Sequence, residues 1–375
     1  ALIGHSRGGE AVTVASVFNR LPAYPDNAQI SFDYDLDIRS VVAIAPVDGQ
    51  YRPSGVGAAP QNVNYLTLQG THDSDMRSFH GSIVWERVRF DGDGDWFKAY
   101  VYAYRANHGQ FNSTWGSNYS GGVGLLLNRR NLMPAADQQQ IAKVYISAFL
   151  EATLKGEDGY RPLFQHHRAG AGWLPEGIYL NRYEDSRFRV IADFDEDLNV
   201  RTATLPGATV SGTRLATWNE QLVNIKWGNL ESKAVFLGWQ ADNDASASYS
   251  IDLAESHVVV SAEDTLVFSL ANGGGETASE PLDLTLELTD GRGEVARLPL
   301  SWVSELSPQL VGQVSKLPFT NPVATSELVF QSYAFRLADF TAQNPAFDPQ
   351  TLARIRFVFD RSPQGQVVLD RLGLQ

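Results

Sequence analysis

The chain has 375 residues, of which 43% are hydrophobic and 19% charged, and this size and composition indicate two or three domains. Its net charge of -13 argues against a nucleic-acid surface, because phosphate binding requires clustered lysine and arginine. It contains 0 cysteines, which excludes disulfides and thiol chemistry and favours an exported bacterial protein, secreted or periplasmic. No apolar run reaches the length of a membrane span.

The first feature in chain order is a G-x-S-x-G pattern. The chain begins ALIGHSRGGEAV, and residues 4–8 have the form of a nucleophile elbow. Apolar residues precede the pattern, and residues 10–17 carry apolar side chains at helical spacing. The sequence therefore predicts a strand, a sharp turn that presents Ser6, and a helix. A plain Gly/Ser turn is the alternative interpretation, since the pattern also arises by chance.

Three apolar runs follow, and each leads into polar residues. SVVAIAPVDG predicts a buried parallel strand that ends at Pro46. VNYLTLQGTHDSDM predicts a second strand, broken by Gly70, with Asp73 three residues beyond the glycine. WFKAYVYAYRANHG predicts a third strand that leads to His108. Because the carboxyl ends of parallel strands meet at one edge of a sheet, the sequence predicts a site at that edge.

These motifs resemble part of a known enzyme superfamily. GHSRGG, LQGTHDSD and ANHGQFN, followed by an amphipathic helix predicted over residues 134–154, are similar to the C-terminal half of an α/β-hydrolase catalytic domain. The similarity covers residues 1–165 and is to dienelactone-hydrolase-like, chlorophyllase-like and polyester-hydrolysing enzymes. It implies an α/β-hydrolase fold that is present from the elbow strand onward.

The resemblance also implies a catalytic triad. A serine hydroxyl is a weak nucleophile, so Ser6 requires a neutral imidazole, and His108 is the predicted general base. The family pattern places the acid a few residues after a strand-ending glycine, which favours Asp73. Asp75 is the alternative acid, and a solvated turn is the alternative for both. The backbone N–H of Arg7 is the predicted oxyanion-hole donor.

The other histidines near these motifs receive no role. His5 lies inside the elbow and is expected to point away from the nucleophile. The remaining ones have no spacing typical of metal ligands and are expected to be loop, surface or core groups: His72, His80, His166 and His167.

The oxyanion hole normally takes a second donor from a loop that follows an earlier strand. The strands that usually precede the elbow need roughly 100 residues. An uncovered central strand would be an aggregation hazard. We therefore expect another segment to complete the sheet, either a second polypeptide or another part of a longer gene product, and we expect activity to require it.

The pattern changes in the second half of the chain. Residues 166–186 are rich in Gly and Pro and predict a linker. Residues 187–375 alternate short strands with turns, which predicts an antiparallel β-sandwich. Its last segment, ending DPQTLARIRFVFDRSPQGQVVLDRLGL, resembles the closing strands of jelly-roll modules of the carbohydrate-binding, galactose-binding-like kind. The predicted fold class is multidomain, a partial α/β-hydrolase followed by an all-β jelly roll.

The sandwich carries two sets of candidate ligand residues. Asp193, Asp195 and Asp370 are candidate ligands for a structural Ca²⁺, which modules of this resemblance often carry; their oxygens suit the ion, but their spacing is not diagnostic. No cofactor is expected to be required. Four tryptophans are candidate platforms for a sugar, and packing in the core is the alternative for each of them: Trp218, Trp227, Trp239 and Trp302.

The sequence thus predicts a serine hydrolase that acts on small or polymeric carboxylic esters through an acyl-enzyme. No nucleic-acid partner and no membrane span are expected. The alternative is a catalytically silent hydrolase-like fragment, in which the sandwich binds a carbohydrate, another polymer or a partner.

Overall fold

The computed structural model describes residues 1–92, 94–117, 125–240, 246–317 and 324–375. The chain divides into two compact units. The first unit comprises Ala1–Ser186, Asn224–Leu230 and Leu310–Glu327, and the second comprises Arg187–Val223, Glu231–Gln309 and Leu328–Gln375. Two segments from late in the sequence therefore belong to the first unit.

The first unit contains both strands and helices. Its elements in chain order are β1 Leu2–His5, α1 Arg7–Phe18, β2 Ala23–Tyr24, β3 Asn27–Ser31, β4 Ser40–Ile44, β5 Asn64–Gly70, α2 His80–Arg87, β6 Phe97–Ala103, α3 Ala135–Lys155, α4 Pro162–Gln165 and β7 Tyr179–Asp185.

The central sheet of this unit has the order β1-β4-β5-β6-β7. Strands β1, β4, β5 and β6 are parallel, and β7 runs antiparallel to β6. All five residues of β4 and all seven of β5 are buried, as expected for parallel strands covered on both faces. The predicted parallel arrangement of these strands is confirmed, and their carboxyl ends share one edge.

Apolar side chains cover both faces of this sheet. On one face, the long helix α3 buries a stripe that includes Ile141, Tyr145 and Phe149 against β5 and β6. On the other face, Val41 and Tyr65 pack with Val84 of α2. The two layers hold the strands in place, so the loops at the carboxyl edge project from a rigid base.

The predicted linker is wrong in its last part. Within residues 166–186, the segment Tyr179–Asp185 forms β7, and all seven of its residues are buried. It pairs with β6 over the register Phe97↔Asp185 to Ala103↔Tyr179. The sheet therefore extends beyond residue 165, the predicted end of the domain.

The second unit is almost entirely strand. Its elements are β8 Arg189–Ala192, β9 Thr209–Thr213, β10 Thr217–Ile225, β11 Gly228–Gln240, β12 Ala247–Asp252, β13 Thr265–Asn272, β14 Thr285–Asp290, β15 Val295–Pro299, β16 Gln331–Arg336, α5 Leu337–Gln343, β17 Leu352–Phe359 and β18 Gln364–Leu374. The turn of the β10–β11 hairpin falls in the first unit.

These strands form two sheets. One has the order β10-β11-β18-β13-β16, with β8 also paired to β18, and the other has the order β15-β14-β17-β12-β9. The registered pairs within both sheets are antiparallel. One hydrophobic core lies between them and includes Leu237, Tyr249 and Phe268. The predicted antiparallel sandwich is confirmed.

Among the described residues, no helix combines the length and the apolar character that crossing a bilayer requires.

Candidate active site

Ser6 lies at a strained turn between β1 and α1. Its backbone has φ 59° and ψ -123°, a conformation that residues other than glycine rarely adopt. A Cβ at Gly4 would lie 1.9 Å from the carbonyl oxygen of Gly8, so only glycine fits there. A Cβ at Gly8 would meet nothing within 4 Å, so the second glycine of the pattern is not required sterically. The turn thus has the strained strand-to-helix geometry of an elbow.

The loops after β5 and β6 touch each other at Gly70. A Cβ at this position would lie 2.3 Å from the carbonyl oxygen of Ala106. Immediately beyond it, the His72 N–H donates to the Ala106 oxygen at 2.9 Å, and the Thr71 N–H donates to Ala103 at 3.1 Å. These backbone contacts bring the loop that carries Asp73 against the loop that carries His108.

Asp73 and His108 form a buried pair. The Asp73 Oδ2 and the His108 Nδ1 are 2.8 Å apart, and their side chains are 1% and 0% exposed. The other carboxylate oxygen, Oδ1, accepts the N–H groups of Asp75 at 2.9 Å and Met76 at 2.6 Å. With Asp73 ionised, Nδ1 carries the donated proton, and the carboxylate fixes the orientation of the ring.

Asp75 approaches the same ring from the opposite side. Its Oδ2 lies 3.5 Å from the His108 Nε2, and its side chain is 59% exposed. Burial alone would lower the pKa of His108, but the hydrogen bond to Asp73 and the charges of Asp73 and Asp75 outweigh burial and raise it. The two carboxylates that the sequence left as alternatives therefore both contact His108, each at a different nitrogen.

Two aromatic rings pack beside His108. The His5 ring centroid is 4.9 Å from that of His108, and the Trp115 ring stacks on His108 at 5.8 Å with 6° between the planes. Burial and the neighbouring His108 lower the pKa of His5 to about 4, so His5 is neutral at neutral pH. Since Ser6 directly follows His5, the elbow lies next to the histidine loop.

Sequence reasoning missed both of these neighbours. It expected the His5 side chain to point away from the nucleophile and did not predict that the ring would lie against His108. No pattern in the sequence indicated a site residue at Trp115, because it lies in the polar sequence NSTWGSN, which is typical of a surface turn. The residue is 45% exposed, which is high for a tryptophan, and its ring forms an apolar surface beside the imidazole.

The predicted oxyanion donor, Arg7, is the first residue of α1. The first N–H groups of a helix have no acceptor within the helix, so the Arg7 N–H has none there. The helix dipole adds partial positive charge at this end, which favours a developing oxyanion.

The other histidines lie outside this group. His72 contacts the Thr71 hydroxyl at 2.7 Å, and the His80 Nδ1 accepts the Asp48 N–H at 3.3 Å. His166 and His167 stack on each other with centroids 4.6 Å apart. The sequence assigned these four residues no role and expected them to be loop, surface or core groups.

A large cleft of about 1030 Å³ lies elsewhere on the first unit. Its lining includes Asp33, Asp35 and Asp37, and it contains none of Ser6, Asp73 and His108. Size alone would favour this cleft as a binding site, but it holds no pair of nucleophile and base. The candidate active site is therefore the carboxyl edge of the sheet.

The predicted calcium ligands do not form a cluster. Among the described residues, no group of three or more histidine, aspartate or glutamate side chains is placed to hold a metal ion. Instead, the Asp193 Oδ1 accepts the Thr204 hydroxyl at 2.9 Å, and the Asp195 Oδ1 accepts the Lys233 N–H at 2.9 Å. Asp370 is 1% exposed on β18.

The four tryptophans divide between core and surface. Trp239 is 3% exposed and stacks on Phe359, and Trp218 packs against the sandwich core. Trp302 is 57% exposed, and Trp227, which belongs to the first unit, is 39% exposed. Within the second unit, only Trp302 of these four is available as an exposed platform.

No protein-family model and no curated protein matches the chain. Among solved structures, a family 30 carbohydrate-binding module is similar to 43% of this chain over 77% of its own, with 13% identity and a TM-score of 0.31. A family 11 module from Clostridium thermocellum, in complex with a β-1,3-1,4-mixed-linked tetrasaccharide, is similar to 50% of this chain over 95% of its own, with 10% identity and a TM-score of 0.30. An exo-β-agarase is similar to 50% of this chain, which spans 25% of that enzyme, with 12% identity and a TM-score of 0.33. Similarity at this level assigns neither an activity nor a ligand to the present chain.

Proposed function

We propose that the protein is a serine hydrolase that cleaves carboxylic esters through an acyl-enzyme. The observation that carries this proposal is the buried 2.8 Å contact between Asp73 and His108, with the strained Ser6 elbow beside it. Strain of this kind persists only where the surrounding structure maintains it, and it concentrates at functional sites. A simple Gly/Ser turn would need neither the strain nor a buried carboxylate behind the histidine.

In the proposed reaction, the His108 Nε2 takes the proton of the Ser6 hydroxyl as its oxygen bonds to the ester carbonyl carbon. The charge that develops on the carbonyl oxygen is stabilised by the Arg7 N–H at the helix start. His108 then returns the proton to the leaving alcohol, and an acyl group remains on Ser6. Water, deprotonated by the same imidazole, releases the acid and restores the serine.

The proposal is tested with the full-length gene product. We expect a fluorophosphonate probe to label Ser6 and p-nitrophenyl esters with short acyl chains to be hydrolysed. The matched control is Ser6→Ala, which removes only the hydroxyl oxygen and should abolish labelling. If the natural protein is neither labelled at Ser6 nor active on any ester of the series, the hydrolase proposal is wrong.

A second candidate function is binding of a saccharide by the second unit. A cavity of about 560 Å³ opens at the ends of β11, β13 and β18, and the residues that line it include Trp239, Asn272, Leu282, Ser362, Gln364 and Gln366. Asn272 is 3% exposed, and its side-chain nitrogen has no hydrogen-bond partner among the described residues. A buried donor of this kind is expected to find an acceptor, and a ligand hydroxyl would supply one.

Calorimetric titration of the protein with soluble β-glucans tests this second function. If the cavity is the binding site, Asn272→Leu should weaken binding about fivefold, the equivalent of one lost hydrogen bond of about 1 kcal/mol. Trp302→Ala changes an exposed residue outside the cavity and should leave the affinity unchanged. Loss of binding in Trp302→Ala, with no effect of Asn272→Leu, would instead place the ligand on the exposed tryptophan.

A further inference from the structure

Glu327 holds a buried carboxylate in the first unit, far in sequence from the triad candidates. Its side chain is 2% exposed, and that of Lys226, whose Nζ lies 3.7 Å away, is 4% exposed. Buried charges persist only where they are paired and hydrogen-bonded. The groups that form hydrogen bonds with Glu327 and Lys226 therefore indicate which part of the structure this pair stabilises.

Those partners lie in the loop that carries Asp73. The Glu327 carboxylate accepts the Ser78 hydroxyl at 2.9 Å and the Phe79 N–H at 3.0 Å. The Lys226 Nζ donates to the carbonyl oxygen of Arg77 at 3.0 Å. Three successive residues of the loop are thus fixed by two side chains that lie 149 to 249 positions away in the sequence.

Further hydrogen bonds connect Glu327 and Ser78 to the backbone at Lys226 and Trp227 and to Tyr102. The Lys226 N–H also donates to Glu327 at 3.2 Å, and the Tyr102 hydroxyl donates to it at 3.4 Å. The Ser78 hydroxyl accepts the Trp227 N–H at 3.1 Å. The carboxylate therefore accepts hydrogen bonds both from the loop and from the backbone at Lys226.

Only four residues separate the anchored Ser78 from Asp73. Between them, the Met76 N–H donates to the Asp73 carboxylate at 2.6 Å, and the Met76 carbonyl accepts the Gln69 amide at 3.0 Å. The segment from Asp73 to Phe79 is thus fixed at one end by His108 and at the other by Glu327. A displacement at Ser78 would be transmitted through Met76 to the carboxylate.

We propose that Glu327 and Lys226 are positioning residues, which keep the Asp73 carboxylate within hydrogen-bonding distance of the His108 Nδ1. Neither acts on the substrate itself. This role rests on the proposed function, because the position of the Asp73 carboxylate matters for catalysis only if His108 serves as the base for Ser6. No local motif points to these residues, because they meet the loop only in the folded first unit.

The test measures the pKa of His108 by NMR in protein labelled at its histidine side chains, with the signal assigned by its loss in His108→Gln. The charged and titratable groups known to face this ring are Asp73, Asp75 and His5. In Glu327→Gln, we expect the pKa of His108 to fall by about one unit or more as the contact with Asp73 weakens. We expect kcat for ester hydrolysis to fall about tenfold, with KM unchanged.

Two further variants separate positioning from other effects. Glu327→Gln combined with Lys226→Met removes both charges and leaves the net charge unchanged, so a fall of the His108 pKa that persists cannot come from the lost charge. Glu287→Gln is the matched control in the second unit. Its carboxylate is 7% exposed and paired with Arg297 and Arg356, and its replacement should leave His108 unaffected.

An unchanged His108 pKa in folded Glu327→Gln protein overturns the proposal, as does recovery of the normal pKa in the double variant. If Glu327→Gln does not fold, Ser78→Ala, which removes only one anchoring hydroxyl, must show the shift in its place. A natural protein that hydrolyses no ester, but whose His108 pKa responds to Glu327→Gln, refutes the proposed function and leaves the positioning role standing.

Discussion

At the residue scale, His108 is contacted by one carboxylate at each of its two ring nitrogens. Asp73 is buried and bonded at Nδ1, whereas Asp75 is mostly exposed and 3.5 Å from Nε2. A base that accepts the serine proton at Nε2 must be held through Nδ1, so only Asp73 has the geometry of an orienting acid. Asp75 lies beside Nε2, the nitrogen that would take the serine proton in the proposed reaction, and its side chain is 59% exposed.

This difference predicts unequal effects of two conservative substitutions. Asp73→Asn should lower kcat by about 10⁴, the usual effect of losing the triad carboxylate, because the amide favours the wrong tautomer of His108. Asp75→Asn should change kcat less than about tenfold, since an exposed carboxylate contributes little. Steady-state hydrolysis of a p-nitrophenyl ester, corrected for active sites by titration, provides the comparison. The opposite ranking of the two variants would transfer the acid role to Asp75.

At the element scale, strands with continuous apolar runs were predictable and a polar strand was not. The runs before Pro46 and Gly70 correctly predicted β4 and β5, because parallel strands buried on both faces contain few polar residues. Strand β7 reads YLNRYED, which has the composition of a surface segment. Its polar residues are buried only because distant partners compensate them.

Those partners explain why a local pattern could not reveal β7. Arg182 pairs with Glu86, and Glu184 lies 3.2 Å from the Nζ of Lys98. The two cations lie over the Trp85 ring, with Arg182 at 3.8 Å and Lys98 at 3.9 Å from its centroid. Cation–π contacts and ion pairs of this kind depend on tertiary structure, so neither composition nor periodicity encodes them.

At the scale of the whole molecule, the boundary drawn from sequence does not match the compact units. The sequence divided the chain into residues 1–165, 166–186 and 187–375, on the basis of a change in pattern. In the structure, Asn224–Leu230 and Leu310–Glu327 belong to the first unit. Pattern changes locate where one type of element gives way to another, but they cannot show that a later segment returns to an earlier fold. The positions of Ser6, Asp73 and His108, in contrast, were predictable, because each of them follows the end of an apolar strand.

Because the first unit includes these two later segments, removing everything after Ser186 should weaken the loop that carries Asp73. A chain that ends at Ser186 keeps β1 to β7 but lacks Lys226 and Glu327, so the Phe79 N–H and the Ser78 hydroxyl lose their charged acceptor. Two hydrogen bonds to a charged group are together worth about 3 kcal/mol, which corresponds to a loss of protection of about a hundredfold. Hydrogen exchange measured by mass spectrometry should show this loss in peptides that cover residues 71–79, with peptides from β4 and β5 as the internal reference. Equal protection of residues 71–79 in the truncated and complete chains would mean that the loop holds its own conformation and that Glu327 is dispensable to it.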